Sequence, residues 1–205
     1  MLVKICGLSR PDEVRAVCDA GADAIGFVFA ASVRQISFDL AASLLPSVAS
    51  GVQRVAVFRR PEEAAVVRVA ELGFDLLQAD AEWRGDCHGL PLLPAFGDGL
   101  DLRERLASYP ELAIGPGLVG TVLVDGPLGG GRGVPADPER VRGAAALRSV
   151  VLAGGLRPET VGEAIRVVRP VGVDVSSGVE ASPGRKDLAA IAAFVAAARG
   201  AMEER

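Results

Sequence analysis

The sequence predicts a (βα)8 barrel, and three observations lead to that fold. Two apolar runs, at residues 150–155 and 172–178, flank a segment at 158–168 whose apolar residues have helical spacing, so this stretch forms a parallel strand–helix–strand unit. A unit of this kind, about 25 residues long, recurs along the chain. Eight such units account for almost all 205 residues and predict one barrel domain over residues 1–205. An open doubly wound sheet is disfavoured because no Gly-x-Gly-x-x-Gly motif follows the first strand.

The repeat is visible in the residues that begin and end its helices. Arg-Pro pairs at residues 10–11, 60–61 and 157–158 each follow a strand, precede acidic residues and begin a helix. Gly-x-Asp triplets at residues 21–23 and 73–75 each end a helix and begin a strand. A recurring βα unit accounts for both patterns.

The remaining strands and helices follow from apolar periodicity and from residues that favour helix ends. Besides the two apolar runs, strands are predicted at residues 2–6, 23–29, 52–58, 75–78, 90–96 and 121–125. Helices are predicted after Ser9, from residues 60–63 to Gly73, from Asp137 to Ala145, and at residues 38–50, 82–87, 100–108, 158–168 and 187–202. Ser9 and Asp137 are the expected N-caps, and Pro46 is expected to end or kink the helix at 38–50. In the last helix, the residues expected to face the barrel are Leu188, Ile191, Val195, Ala198 and Met202. Residues 126–136 are rich in Gly and Pro and are expected to form a long loop that covers the barrel mouth.

Composition restricts the possible functions. The net charge is −4, the sequence has no basic run, and aromatic residues make up only 4% of it, which argues against a nucleic-acid surface. The sequence shows neither a signal peptide nor an apolar run long enough to span a bilayer, so we expect a soluble, cytoplasmic protein without a membrane partner. The three cysteines lack metal-ligand spacing and His88 is the only histidine, so neither a zinc site nor a histidine-based triad is expected.

Two neighbouring turns at the predicted barrel mouth are suited to a phosphate. The seventh and eighth strands end in small residues, namely Gly154, Gly155, Ser176, Ser177 and Gly178. Such turns let backbone N–H groups approach phosphate oxygens, and phosphate commonly binds between these two loops of a barrel. The sequence therefore predicts a TIM barrel of the phosphate-binding type, with a small phosphorylated molecule as its ligand. The alternative is that these glycines only make tight turns.

Functional residues of a barrel collect at the C-terminal ends of its strands, where this chain has a thiol and several polar groups. Cys6 and Asp125 end strands on different sides of the mouth, and they suit a base and an acid that face each other across a cavity. The alternatives are that Cys6 is a small buried apolar residue and that Asp125 caps a loop. Gln78 and Asp174 also lie near strand ends, and Arg34, in the loop after the second strand, suits an anionic substrate.

These residues belong to motifs that resemble phosphoribosylanthranilate isomerase along nearly the whole chain. The motifs are KICGL at residues 4–8, GFVF at 26–29, SVRQIS at 32–37, VAVF at 55–58, LVD at 123–125, LAGGL at 152–156, DVSSGVE at 174–180 and PGRKD at 183–187. The resemblance implies a (βα)8 barrel of tryptophan biosynthesis that converts N-(5-phosphoribosyl)anthranilate to 1-(2-carboxyphenylamino)-1-deoxyribulose 5-phosphate by an Amadori rearrangement.

The resemblance also implies roles for individual residues. Asp125 matches the general acid of the family and Cys6 matches its general base. Arg34 would pair with the anthranilate carboxylate, Gln78 and Asp174 would also contact the substrate, and the small residues at 154–155 and 176–178 would hold its phosphate. No metal or organic cofactor is expected. The chain is expected to be a monomer or a homodimer.

Two loops depart from the family pattern, and other functions remain as alternatives. Residues 77–81 read LQADA where the family usually has Val-Gln-Leu-His-Gly, and residues 129–135 read GGGRGVP where it typically has Gly-Gly-Thr-Gly before an aromatic segment. One alternative is a non-catalytic barrel that binds a phosphorylated ligand. The other is a related aminoaldose isomerase of histidine biosynthesis. Members of that family resemble one another in having an aspartate at the end of strand one, where this chain has Cys6.

Overall fold

Parallel strands form a closed barrel in the structure, a computed structural model that describes residues 1–113, 115–127 and 135–203. Within those residues the barrel strands are Leu2–Cys6 (β1), Ala24–Val28 (β2), Gln53–Val57 (β3), Leu76–Asp80 (β4), Leu92–Gly97 (β5), Val122–Asp125 (β6), Val150–Leu152 (β7) and Gly172–Val175 (β8). Each strand pairs with the next in parallel, and β8 pairs with β1 to close the ring. The predicted (βα)8 barrel fold is confirmed.

Helices surround the barrel and connect most of its strands. They are Pro11–Asp19 (α1), Phe38–Leu44 (α2), Glu63–Glu71 (α3), Leu102–Ser108 (α4), Pro138–Ala145 (α5), Val161–Val168 (α6) and Leu188–Glu203 (α7). The predicted effect of Pro46 is confirmed, since α2 ends at Leu44 and a 3-10 turn, Leu45–Ser47, follows. Asp137 is the N-cap of α5 as predicted, because its side chain accepts hydrogen bonds from the backbone N–H groups of Glu139 and Arg140.

Apolar side chains form two layers, as the alternation of side chains along barrel strands requires. Val3 and Ile5 of β1 belong to the larger layer between the strands and the helices. Cys6 belongs to the smaller layer inside the barrel. Lys4 shares the parity of Cys6, so its side chain also points into the barrel interior, where it is fully buried.

A short hairpin follows β8 and was not predicted. After a 3-10 turn at Ser177–Val179, the strands Glu180–Ser182 (β9) and Arg185–Lys186 (β10) pair in antiparallel fashion before α7 begins. Gly184, at the turn of this hairpin, has a positive φ of 79°, which favours glycine. The hairpin lies beside the β2–α2 loop, since a Cβ atom at Gly184 would lie 2.6 Å from the carbonyl oxygen of Val33.

The helix predicted at residues 82–87 is wrong, because this segment between β4 and β5 has irregular structure. Local contacts compete with a helix there: the Asp86 carboxylate accepts a hydrogen bond from the backbone N–H of His88, and His88 has a positive φ of 47°. The indole N–H of Trp83 donates to the carbonyl oxygen of Pro61, 3.0 Å away, which ties the segment to the preceding βα loop.

Two finer predictions about the helices are also wrong. The N-cap of α1 is Arg10 rather than Ser9, whose backbone N–H instead donates to the carboxylate of Glu13. In α7, Leu188 is 42% exposed, whereas Ile191, Val195 and Ala198 are buried as predicted. The side chain of Met202 lies outside the described part of the chain.

Some expectations lie beyond what the structure describes. Residues 128–134, which make up most of the predicted mouth-covering loop, are outside the described ranges. That residues 1–205 form one domain stays a prediction. Among the helices in the described ranges, none has the length and apolar character needed to cross a membrane.

The Cys6 side chain occupies space that is open because residue 26 is a glycine, and a substitution at Gly26 therefore tests the packing inside the barrel. The two residues are partners across β1 and β2, and a Cβ atom at Gly26 would lie 2.8 Å from Cys6 Sγ and 3.2 Å from Cys6 Cα. We expect Gly26→Ala to lower the free energy of unfolding by roughly 1–3 kcal/mol, because the strands must separate locally to admit the methyl group. Urea denaturation measures the change.

Gly143→Ala is the matched control. Gly143 lies in α5 and has nothing within 4 Å of an added Cβ atom, so alanine should raise the stability by about 0.5–1 kcal/mol through its higher helix propensity. Equal stability of the Gly26→Ala variant and the unmodified protein would contradict the packing argument.

Candidate active site

One cavity of about 620 Å³ opens at the C-terminal ends of the barrel strands. All ten residues that the sequence singled out line it, namely Cys6, Arg34, Gln78, Asp125, Gly154, Gly155, Asp174, Ser176, Ser177 and Gly178. They come from the ends of β1, β4, β6, β7 and β8 and from the β2–α2 loop. The structure therefore brings the predicted site residues together, while their individual roles stay predictions.

A buried ion pair lies inside the barrel beside Cys6. Lys4 Nζ is 2.8 Å from Asp174 Oδ1, and the two residues are partners in the register of β1 and β8. The Lys4 side chain is fully buried, and Asp174 is only 8% exposed. A buried charge is tolerated where an opposite charge and a hydrogen bond accompany it, and this pair supplies both.

The Cys6 thiol is buried and experiences opposing charges. Burial raises its pKa, the positive charge of Lys4 acts against that increase, and the negative charge of Asp174 adds to it. The pKa of Lys4 is raised as well: burial alone would lower it, but the charges of Asp174 and Cys6 outweigh that effect. The thiol is therefore a weak acid and its thiolate a strong base.

Asp125 is a carboxyl group with an unusually high proton affinity. It ends β6, and burial raises its pKa to about 6, with a further contribution from the negative charge of Asp174. A hydrogen bond from the backbone N–H of Gly126 to Asp125 Oδ1, 2.7 Å long, and the charge of Lys4 act in the opposite direction. Near neutral pH this group can hold and release a proton, which is what a general acid requires.

The predicted phosphate cup is built from the turns that follow β7 and β8. Gly154 and Gly155 have φ values of 87° and 63°, which favour glycine, and both residues line the cavity. Gly178 packs so closely against this turn that a Cβ atom there would overlap the carbonyl oxygen of Leu156. The Ser176 hydroxyl donates a 3.0 Å hydrogen bond to the carbonyl oxygen of Cys6, which joins the cup to the end of β1.

Arg34 reaches the cavity already paired with a carboxylate. Its Nε and Nη2 atoms donate to the two oxygens of Glu180, at 2.6 and 2.9 Å. Lys186 Nζ lies 2.9 Å from Glu180 Oε1 and also donates to Ser176. Burial alone would raise the pKa of Glu180, but its hydrogen bonds with Arg34 and Lys186 lower it below the usual value. Burial lowers the pKa of Lys186, against the influence of Glu180.

Gln78 contributes an amide to the cavity wall. It is 8% exposed, and its side-chain oxygen is buried with no hydrogen-bond partner among the described residues. A buried acceptor of this kind is expected to receive a hydrogen bond from a ligand or from water. Nearby, Asp80 Oδ2 lies 3.5 Å from Arg59 Nε and 3.8 Å from Arg60 Nε. The altered segment after β4 therefore adds a charged group to the same wall of the cavity.

Sequence reasoning missed Glu180 and Lys186 as parts of the site and gave Lys4 no role in it. Glu180 and Lys186 lie within the motifs at residues 174–180 and 183–187, but the hairpin that brings them to Arg34 was not predicted. The available signal was the presence of oppositely charged residues close together in a Gly- and Ser-rich segment. In the described ranges, no three His, Cys, Asp or Glu residues are grouped as a metal site requires.

Comparison with known proteins agrees with this geometry. The family described as N-(5'phosphoribosyl)anthranilate (PRA) isomerase matches residues 3–197. The N-(5'-phosphoribosyl)anthranilate isomerase of Thiobacillus denitrificans is 41% identical over 206 residues, which cover 96% of this chain and 97% of that protein. The phosphoribosyl anthranilate isomerase of Thermus thermophilus superposes with a TM-score of 0.83 at 31% identity and covers 98% of this chain and 99% of its own.

A third relative was solved with a ligand bound. It is a phosphoribosyl anthranilate isomerase in complex with reduced 1-(o-carboxyphenylamino)-1-deoxyribulose 5-phosphate, with a TM-score of 0.79 and 31% identity over 98% of this chain and 99% of its own. The match of the family over nearly the whole chain and the identity to its members agree with one another. This chain therefore belongs to the phosphoribosylanthranilate isomerase family and is an isomerase of tryptophan biosynthesis.

Proposed function

We propose that the cavity converts N-(5-phosphoribosyl)anthranilate to 1-(2-carboxyphenylamino)-1-deoxyribulose 5-phosphate, with Cys6 as general base and Asp125 as general acid. The observation that carries the proposal is that a buried thiol and a carboxyl group of raised pKa line the same cavity as a Gly- and Ser-rich cup. A carboxyl group that retains its proton near pH 6 suits an acid-catalysed ring opening.

Groups around the cavity hold the two negatively charged ends of the substrate. The phosphate binds in the cup formed by residues 154–155 and 176–178, where backbone N–H groups and hydroxyls donate hydrogen bonds. The anthranilate carboxylate pairs with Arg34. Gln78 accepts a hydrogen bond from the substrate through its buried oxygen, and Asp174 contributes a polar contact near the sugar.

Ring opening is the first chemical step. Asp125 donates its proton to the furanose ring oxygen, the bond from that oxygen to C1 breaks, and the lone pair of the anthranilate nitrogen forms a C=N bond to C1. The carboxylate left on Asp125 has the charge of Lys4 nearby, which compensates part of the cost of a buried negative charge.

Proton removal from C2 is the second step. The Cys6 thiolate takes this proton, the C–H electron pair forms a C1–C2 double bond, and the C=N electrons return to nitrogen to give an enolamine. A proton is then gained at C1 and lost from the C2 hydroxyl, which yields the ketone with no net change in protons. Neither step requires a metal or an organic cofactor.

Replacement of either proposed catalytic group is the first test. Cys6→Ser and Asp125→Asn keep the size of the side chain but remove the base and the acid, so we expect each to lower kcat by roughly 100-fold or more. The assay generates phosphoribosylanthranilate in situ from anthranilate and phosphoribosyl pyrophosphate and follows the decay of anthranilate fluorescence.

Matched controls separate these effects from general damage. Cys87→Ser and Asp39→Asn make the same chemical changes outside the cavity lining, at a partly buried and an exposed position, and should leave kcat within about twofold. Full activity of the Cys6→Ser variant would require another base. Binding of a stable product analogue by the unmodified protein without any turnover would favour the non-catalytic barrel.

The pKa values predict the pH dependence of kcat/KM. Below about pH 6 both Asp125 and Cys6 hold protons, so no base is present and the rate rises with pH. Above that pH the pair shares one proton, and the fraction with the proton on Asp125 and a thiolate at Cys6 is constant, which gives a plateau. The rate falls only above the ordinary thiol pKa of about 8.5, because the pKa of Cys6 is raised.

The Asp125→Asn variant tests whether the rise of kcat/KM at low pH comes from Asp125. Its residual activity should lack the plateau and increase with pH through the pKa of Cys6, because one titrating group remains. A substrate phosphate also titrates near pH 6, as phosphate monoesters do, but that effect persists in the variant. If the rise of kcat/KM near pH 6 were unchanged in Asp125→Asn, that rise could not be assigned to Asp125.

A further inference from the structure

We propose that Glu180 is a positioning residue for the isomerase reaction: it fixes the Arg34 guanidinium so that its free edge binds the substrate carboxylate, and Lys186 balances the charge of Glu180. This inference rests on the proposed role of Arg34 in substrate binding. Glu180 acts through Arg34 and touches no reacting atom.

The geometry of the Arg34–Glu180 pair leaves one edge of the guanidinium available. A guanidinium group has five N–H donors, and Glu180 accepts one from Nε and one from Nη2, at 2.6 and 2.9 Å. Two donors on Nη1 and one on Nη2 remain for other partners. One N–H from each of these two atoms forms the end-on edge of the fork, which can bind a second carboxylate in a bidentate manner.

The charge balance explains why a third group is present. Glu180 alone would neutralise Arg34 and weaken its attraction for an anionic substrate. Lys186 Nζ lies 2.9 Å from Glu180 Oε1, and the side chains of Arg34, Glu180 and Lys186 are 11%, 5% and 0% exposed. The three ionised groups together carry one net positive charge in a poorly solvated site, where it attracts an anion more strongly than in water.

The β9–β10 hairpin holds Glu180 against three other elements. Lys186 Nζ donates to the carbonyl oxygen of Ser176 at 2.9 Å, which ties the hairpin to the phosphate cup. The backbone N–H of Lys186 donates to the buried carboxylate of Glu13 in α1, also at 2.9 Å. Gly184 packs against Val33 in the loop that carries Arg34. The carboxylate that orients Arg34 is therefore fixed before the substrate binds.

A purely structural ion pair is the alternative, and only the substrate carboxylate distinguishes the two roles. If Glu180 merely holds the hairpin in place, its loss affects every substrate alike. If it orients Arg34 for the carboxylate, its loss affects only substrates that carry one. The test therefore compares N-(5-phosphoribosyl)anthranilate with N-(5-phosphoribosyl)aniline, which lacks that group, with product formation followed by phosphorus NMR.

We expect Glu180→Gln to raise KM for the anthranilate substrate about tenfold or more, with kcat changed by less than about threefold. For the aniline substrate both constants should match those of the unmodified protein. Glu180→Asp retains the charge on a shorter side chain, so its KM should lie between the two, and it supports the same comparison if Glu180→Gln folds poorly. Glu71→Gln, which alters an exposed ion pair on α3, is the matched control and should change neither constant.

The outcome is read together with Arg34→Met. If Arg34→Met raises KM for the anthranilate substrate alone and Glu180→Gln does not, the positioning role of Glu180 is overturned while the role of Arg34 stands. If Arg34→Met affects both substrates equally, the proposed carboxylate contact of Arg34 fails. Equal losses on both substrates with Glu180→Gln would assign the pair a structural role only.

Discussion

The ion pair between Lys4 and Asp174 is the interaction on which both the barrel and its cavity depend. It joins β1 to β8, the two strands whose pairing closes the ring, and it places two charges beside the apolar side chains of the barrel interior. Removing one partner would leave an uncompensated buried charge, which typically costs about 3–5 kcal/mol. The same charges act on Cys6 and on Asp125, so one contact links the strands that close the barrel to the electrostatics of the cavity.

Burial raises the pKa of both the proposed acid and the proposed base, which helps the acid and hinders the base. It raises the pKa of Asp125 to about 6, which helps a proton donor, and it raises the pKa of Cys6, which reduces the thiolate fraction at neutral pH. Lys4 opposes both increases and Asp174 adds to both. The reacting protonation state, with a proton on Asp125 and a thiolate at Cys6, is therefore a minor one, but it combines a strong base with a group that readily donates a proton. Burial of both groups suits this arrangement because poor solvation strengthens the base.

The sequence predicted those parts of the fold and site that depend on local pattern. Strand periodicity and the rule that barrel function lies at strand ends were enough to bring Cys6 and Asp125 to one cavity. The errors involve side-chain contacts, some between distant segments, that the periodicity does not show. Glu13 accepts a hydrogen bond from the backbone N–H of Lys186, 173 positions away, and another from the backbone N–H of Ser9, the residue that local rules assign as the N-cap. The segment at residues 82–87 likewise follows a tether to Pro61 rather than its own helix propensity.

The contacts that fix charge and the altered segment after β4 lie on different sides of the barrel mouth. Lys4, Arg34 and Glu180 belong to the neighbouring strands and loops around β8, β1 and β2, where hydrogen bonds join each element to the next. The altered segment at residues 79–81 follows β4, away from this network, and Asp80 there is partly exposed and pairs with exposed arginines. A change in that wall alters the shape and charge of the cavity opposite the cup without breaking the contacts that hold Arg34. In this chain the hydrogen-bonded network around Arg34 is therefore separate from the charged groups that the altered segment after β4 adds to the cavity.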